Sequence, residues 1–126
     1  SRDWSSDVCS SDLDALRDHP GGGARIAVLG EMRELGAASA ALHRELGAAA
    51  ARGADRVLAL GEHAADIVDG ARAAGAALAE VFTDHATAAA AVFGAAAPGD
   101  VVLVKGSRGI RMELFTEALK RLYGVE

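Results

Sequence analysis

Short apolar runs alternate with longer segments along most of this chain. Each run spans about five residues and is bounded by glycine or polar residues, as expected for buried strands. In the longer segments, apolar residues recur every three or four positions, which is typical of helices. The predicted strands are residues 25–29, 56–60, 78–82 (the weakest of the four) and 101–104.

Turn and capping residues place the ends of the predicted helices. Gly53 and Gly75 follow two of them, Pro98 and Gly99 follow a third, and Asp84 is a suitable N-cap residue. The predicted helices are residues 37–52, 62–74, 86–96 and 110–123, preceded by the end of another helix at residues 14–19.

The alternation of strands and helices predicts the α/β fold class. We expect a Rossmann-like, three-layer domain with a mostly parallel sheet of about four strands, flanked by helices and joined by right-handed crossovers. No strand precedes the helix at residues 14–19, so we expect the first strand of the domain to be missing. A chain without that strand would be marginally stable or prone to associate.

The first residues differ in composition from the rest. Residues 1–13 are rich in serine and aspartate and contain the only tryptophan, Trp4, and the only cysteine, Cys9. The segment resembles one reading frame of a common sequencing adapter. We therefore interpret residues 1–13 as a non-native tail and residues 14–126 as the domain, and we assign no function to Trp4 or Cys9.

Composition excludes several classes of protein. A net charge of −5 argues against nucleic acid as a partner, because a basic footprint is missing. No apolar run approaches the roughly 20 residues of a membrane span, and the polar, acidic N-terminus does not resemble a signal peptide. A single cysteine fits a reducing compartment, so we expect a cytoplasmic protein.

Several catalytic motifs are absent from the sequence. It contains no P-loop, no dinucleotide-binding glycine pattern after a strand, and no nucleophile elbow. The four histidines lack the spacing of metal ligands. We expect His43 to be packed or on the surface, and His63 and His85 to be structural or solvated. No catalytic residue and no metal site are assigned within the chain.

The candidate binding site is the loop after the last predicted strand. Lys105, Gly106, Ser107 and Arg108 combine two cations, a hydroxyl and a flexible glycine, which suits a carboxylate or a phosphate. Loops after the carboxyl ends of parallel strands face the ligand crevice. Glu31 and Arg33 follow the first predicted strand at the same edge, where they could line the cleft or form an ordinary turn.

Two motifs resemble one family. The segments RIAVLGEMRELG at residues 25–36 and VVLVKGSRGIRME at residues 101–113 resemble the C-terminal domain of the UDP-N-acetylmuramoyl-tripeptide–D-alanyl-D-alanine ligases (MurF), a branch of the Mur ligases. The likeness runs from about residue 14 to the end, and the block at residues 105–113 is fairly specific to this branch. Glu31 stands where the family more often has aspartate.

The resemblance implies a cytoplasmic, bacterial, ATP-dependent amide ligase of peptidoglycan synthesis, monomeric when full length. Such a ligase joins D-alanyl-D-alanine to UDP-N-acetylmuramoyl-tripeptide through an acyl phosphate. ATP and Mg²⁺ are held mainly by a central domain that this chain does not include. The family's Asp-x-x-Tyr-Asn-x-Asn-Pro block, which helps to hold the nucleotide, is also missing here. The resemblance thus implies a fragment that is inactive alone, with Lys105, Ser107 and Arg108 holding a carboxylate or phosphate.

Two alternatives stay open from the sequence. One is a related Mur-type ligase that adds another amino acid. The other is a non-catalytic α/β module that binds a nucleotide or another anion.

Overall fold

Strands and helices alternate along the chain as predicted. The computed structural model describes residue 13 and residues 15–18, 22–32, 39–106 and 110–124. Residues 15–17 are helical. The further elements, in chain order, are β1 (Arg25–Gly30), α1 (Ser39–Ala51), β2 (Arg56–Leu60), α2 (Ala64–Ala73), β3 (Leu78–Phe82), α3 (His85–Ala95), β4 (Val101–Lys105) and α4 (Glu113–Leu122).

The four described strands form one parallel sheet in the order β3-β2-β1-β4. Strand β1 lies in the interior of the sheet, where Leu29 pairs with Ala59 of β2 on one side and with Lys105 of β4 on the other. Helices cover both faces, as a parallel sheet requires. The predicted fold class is therefore confirmed.

Alternating residues of the inner strands supply two separate cores. Ala27 and Leu29 of β1 face the core beneath α1 and α2, whereas Ile26 and Val28 face the core beneath α3 and α4. Strand β2 divides its side chains in the same way. Because successive side chains of a strand point to opposite faces, a continuous apolar run is what a strand buried on both faces needs.

Local signals at the helix ends are confirmed. The side chain of Asp84 accepts a hydrogen bond of 2.7 Å from the backbone N–H of Thr87, so it is the N-cap of α3. Gly75 has a φ of 101° after α2, and Ala76 N donates to the carbonyl oxygen of Ala71. This backbone arrangement is a Schellman motif, which glycine favours because it has no Cβ.

The prediction for the last helix is wrong at its start. Helix α4 begins at Glu113, not at residue 110, because Arg111 has a φ of 54°, which is incompatible with a right-handed helix. Ile110 and Met112 have apolar side chains that fit a helical pattern, but here they pack against the ends of strands. The spacing of apolar residues alone does not separate these two outcomes.

Helices α1 and α2 cross in direct backbone contact. A Cβ on Gly47 would overlap the carbonyl oxygen of Ile67, and a Cβ on Gly70 would overlap the carbonyl oxygen of Arg44. Both glycines are buried in the middle of alanine-rich helices. Glycine weakens a helix interior relative to alanine, so its presence here is explained by the close approach of the two backbones.

Asp100 joins the segments at the amino ends of β1 and β4. Its carboxylate accepts a hydrogen bond of 2.8 Å from the backbone N–H of Ala97 and another of 2.8 Å from that of Ala24. These two hydrogen bonds hold the pKa of Asp100 below its ordinary value, because they favour the ionised carboxylate.

We predict that Gly47→Ala and Gly70→Ala each lower the free energy of unfolding by about 1–3 kcal/mol, since the new methyl group overpacks the helix crossing. Gly94→Ala is the matched control, because Gly94 lies in α3 with open space around its Cα. It should raise the free energy of unfolding by up to about 1 kcal/mol through helix propensity. Urea denaturation measures the free energy of unfolding of all three variants. Equal changes in the three would contradict the close contact of α1 and α2 at Gly47 and Gly70.

We predict that Asp100→Asn reduces stability near neutral pH and that the difference from the wild type disappears in acid. The pKa of Asp100 is lower in the folded state than in the unfolded state, so its contribution is present above about pH 4 and is lost as the pH falls through the folded-state pKa. Chemical denaturation between neutral pH and pH 2 measures the difference. Parallel stability curves for the two proteins would show that the carboxylate does not have this role.

Candidate functional site

The helices that follow β1 and β4 lie on opposite faces of the sheet. The core beneath α1 includes Leu46, whereas the core beneath α4 includes Phe115. The chain therefore leaves these two neighbouring strands toward opposite faces of the sheet, and the expected position of a ligand crevice is at their carboxyl ends. In open α/β sheets this is the point where ligands bind.

The described part of the predicted binding loop lies at this crevice. Lys105 is the last residue of β4, is half-buried, and pairs in register with Leu29 of β1. Gly106 follows it, and Glu31 follows the end of β1 directly. Ser107, Arg108 and Arg33 lie outside the described residues, so their roles stay predictions.

Residues 110–112, here called the strap, lie across the ends of both strands. A Cβ on Gly30 would come within 2.7 Å of Ile110 Cγ2 and 2.9 Å of Met112 Sδ. A Cβ on Gly106 would come within 2.8 Å of Ile110 Cγ2 and 2.7 Å of Met112 Cγ. The packing of the strap thus explains why each of these strand ends has a glycine. For Gly106 this explanation is additional to the predicted ligand contact.

The strap is held from the opposite side by α3. His85, the first residue of α3, places its Nε2 2.7 Å from the carbonyl oxygen of Ile110, so Nε2 donates this hydrogen bond. The predicted structural role of His85 is therefore confirmed. Because α3 and the strap are connected through a side chain, the position of the strap depends on the packing of α3.

Glu31 connects the ends of β1 and β2. Its side chain is 6% exposed, and its carboxylate accepts a hydrogen bond from the backbone N–H of Glu62, just before α2. The N-cap residue of α2, His63, makes no capping hydrogen bond through its own side chain. A carboxylate at a helix N-terminus is favoured by the helix dipole. Glu31 thus stabilises the start of α2, and its predicted contact with a ligand stays a prediction.

His43 anchors the segment that follows β1. Its ring is fully buried in α1, and its Nε2 lies 2.7 Å from the backbone nitrogen of Met32. Since a backbone N–H only donates, this nitrogen of His43 accepts and carries no proton. His43 was predicted to be packed or on the surface, and the structure shows that it is packed. The hydrogen bond to Met32 was not predicted from the sequence, because it joins residues brought together only by the fold.

A second histidine extends this arrangement toward the surface. The ring of His63 stacks on that of His43 with centroids 4.5 Å apart, and its Nδ1 lies 3.0 Å from Asp66 Oδ2. Arg44 pairs with the same carboxylate at 3.4 Å. The network joins α1 to the start of α2, which confirms a structural role for His63.

Two further properties concern the described residues only. None of the helices that they form has both the length and the apolar character needed to cross a bilayer. Within the same part of the chain, no three or more His, Cys, Asp or Glu side chains come together in a way that could hold a metal ion.

Sequence comparison identifies one matching family. The family described as "Mur ligase, glutamate ligase domain" matches residues 7–108, which is most of the chain. No curated protein matches the chain by sequence.

Solved structures of MurF ligases share the fold. The MurF ligase from Thermotoga maritima, solved in complex with ADP, is 27% identical and superposes with a TM-score of 0.74. Two crystal structures of MurF from Acinetobacter baumannii, both 24% identical, give TM-scores of 0.80 and 0.77, and at that identity they support the fold alone. Each alignment covers 94% of this chain but only 26% of the ligase chain.

We predict that Gly61→Ala destabilises the domain more than Gly75→Ala does. Both glycines have a φ near 100°, at 105° and 101°, so both substitutions strain the backbone to a similar extent. A Cβ at residue 61 would also lie 2.6 Å from Glu31 Oε1, whereas residue 75 has no neighbour within 4 Å. The extra loss should be about 1–3 kcal/mol in urea denaturation. Equal losses would mean that Glu31 is not fixed in its position at β2.

Proposed function

Because the chain belongs to the Mur ligase family, we propose that it is the C-terminal domain of a ligase that builds peptidoglycan precursors in the bacterial cytoplasm. The ligase would add D-alanyl-D-alanine to UDP-N-acetylmuramoyl-tripeptide with ATP. The observation that carries this proposal is the cationic KGSRG segment, which begins at the end of β4 beside the strand-end crevice. The likeness to the 27% identical MurF ligase supports the choice of branch.

The proposed reaction has two steps. First, a carboxylate oxygen of the tripeptide attacks the terminal phosphorus of ATP, and ADP leaves, which gives an acyl phosphate. Second, the amine of D-alanyl-D-alanine attacks the acyl carbon, the amine loses a proton, and inorganic phosphate leaves as the amide forms. The nucleotide carries phosphate groups and the incoming dipeptide carries a carboxylate, so a cationic edge on the closing domain suits either one.

The proposed roles in this chain belong to the strand-end loop. Lys105, Ser107 and Arg108 would hold a carboxylate or a phosphate in the closed state, and Gly106 would allow the backbone to come close to it. Glu31 and Arg33 would line the same cleft. The backbone of Lys105 is fixed by the pairing of β4 with β1, and its side chain supplies a compact ammonium group.

The remaining chemistry belongs to parts of the ligase beyond this domain. The chain spans 26% of the length of the MurF chains that it matches. We therefore propose that ATP and Mg²⁺ are bound mainly by a central domain and that residues 1–126 are inactive alone. In calorimetry, the isolated chain should show little or no binding of ATP or D-alanyl-D-alanine. The full-length ligase would be a monomer.

A second candidate follows from the family description, which names a glutamate ligase domain. A related ligase would use the same two steps with another amino acid as the amine. Assays of the intact ligase with D-alanyl-D-alanine, L-glutamate and other amino acids in turn would separate the candidates. Turnover with glutamate and none with the dipeptide would reject our choice of branch.

We predict that Lys105→Ala in the intact ligase raises the Michaelis constant for D-alanyl-D-alanine or lowers turnover by about 10–100-fold. The reason is the loss of a charge-assisted contact of about 1.5–3 kcal/mol. Lys120→Ala is the matched control, since Lys120 is the only other lysine and lies exposed in the last turn of α4. Steady-state kinetics of both variants gives the comparison. Unchanged kinetics for Lys105→Ala would show that the assigned role is wrong.

A further inference from the structure

The strap holds an arginine in a backbone conformation that residues with a side chain rarely adopt. Arg111 has a φ of 54°, and it is the one non-glycine residue with a positive φ among those described. Such a conformation is unfavourable for an arginine and persists only where the surroundings fix it. Residues held in this way often lie at binding sites, because the backbone then fixes where the side chain leaves the chain.

The surroundings fix Arg111 on both sides. Ile110 and Met112 pack against the glycines at the ends of β1 and β4, and the carbonyl oxygen of Ile110 accepts the hydrogen bond from His85. The carbonyl oxygen of Arg111 accepts a hydrogen bond of 3.0 Å from the N–H of Leu114. The Arg111 side chain is 63% exposed, so it lies on the solvent side of a strap whose other two side chains pack on the strand ends.

An acidic partner, Glu113, holds the guanidinium at the surface. Arg111 Nε lies 3.3 Å from Glu113 Oε2. The Glu113 carboxylate accepts from its own backbone N–H and from Arg111, and both hydrogen bonds keep its pKa below the ordinary value. The contact with Glu113 uses Nε. Bidentate binding of a carboxylate or phosphate can use the two terminal nitrogens of the guanidinium instead. An exposed pair of this kind is weak enough to exchange with a ligand.

We propose that Arg111 binds an anionic group of the ligand, a carboxylate or a phosphate, on the outer side of the strap, which packs on Gly106, the residue after Lys105. Glu113 holds the guanidinium in place until the anion arrives. The proposal rests on the proposed ligase function only for the identity of that anion. The strap packs on Gly30 and Gly106, so the proposed position of the anion is outside this contact between the strap and the two strand ends.

The test is an NMR titration of the ¹⁵N-labelled chain at constant ionic strength. Inorganic phosphate and D-alanyl-D-alanine are added separately, and the amide chemical shifts of residues 110–113 are followed. NMR is used because it detects millimolar binding that calorimetry misses. Arg111→Gly removes the guanidinium and suits the positive φ, and Arg111→Lys keeps the charge. Glu113→Gln removes the competing carboxylate. Arg121→Ala removes an exposed arginine at the far end of α4 and controls for net charge.

We expect Arg111→Gly to weaken binding of at least one anion about tenfold, which corresponds to about 1.4 kcal/mol. Arg111→Lys should weaken it less, Glu113→Gln should tighten it severalfold, and Arg121→Ala should change it less than twofold. If phosphate changes the amide chemical shifts of the strap, the ligand group is a phosphate; if D-alanyl-D-alanine changes them, the ligand group is a carboxylate. Absence of binding by the wild type, or equal losses in Arg111→Gly and Arg121→Ala, would overturn the proposal. Either result leaves the ligase proposal to be decided by the kinetics of Lys105.

Discussion

The burial of β1 on every side is the constraint on which the rest of the domain depends. This strand pairs with β2 and β4 through its backbone and supplies side chains to both cores. An apolar strand of this kind needs a neighbour at each edge and a helix layer on each face. Because the sheet is parallel, the segments that follow β2 and β4 begin beside the carboxyl end of β1. The position of the charged residues at this edge is therefore a consequence of how β1 is buried.

The residues at the carboxyl end of β1 hold the proposed binding edge in place through their packing. Glu31 reaches the start of α2, Met32 is tied to His43 in α1, and Gly30 lies under the strap. These contacts fix the carboxyl end of β1 through three different segments of the chain. A ligand bound at this edge, as we propose, would meet a surface that is already ordered, which reduces the entropy lost on binding.

The sequence was sufficient for the parts of the fold that depend on local patterns. Residues 56–60 and 78–82 were predicted with the bounds that the structure has, because each is an apolar run between turn residues. The start of α4 was not predictable, because Ile110 and Met112 match a helical pattern and only the glycines of two other strands explain their true position. Likewise, the presence of glycine at residues 47 and 70 is explained only when α1 and α2 are known to cross. The carboxylate of Glu31 and the ring of His43 bind backbone groups that are distant in sequence, and no local pattern indicates such partners.

We propose that this domain belongs to a larger ligase. The most direct test of this proposal is the DNA sequence upstream of the codon for Asp14 in the source genome. We predict a continuous open reading frame that encodes a further strand, a Tyr-Asn-x-Asn-Pro-type block and, before them, a P-loop. A genuine start of translation that encodes residues 1–13, with none of these segments in frame, would contradict it and would favour a free-standing anion-binding module.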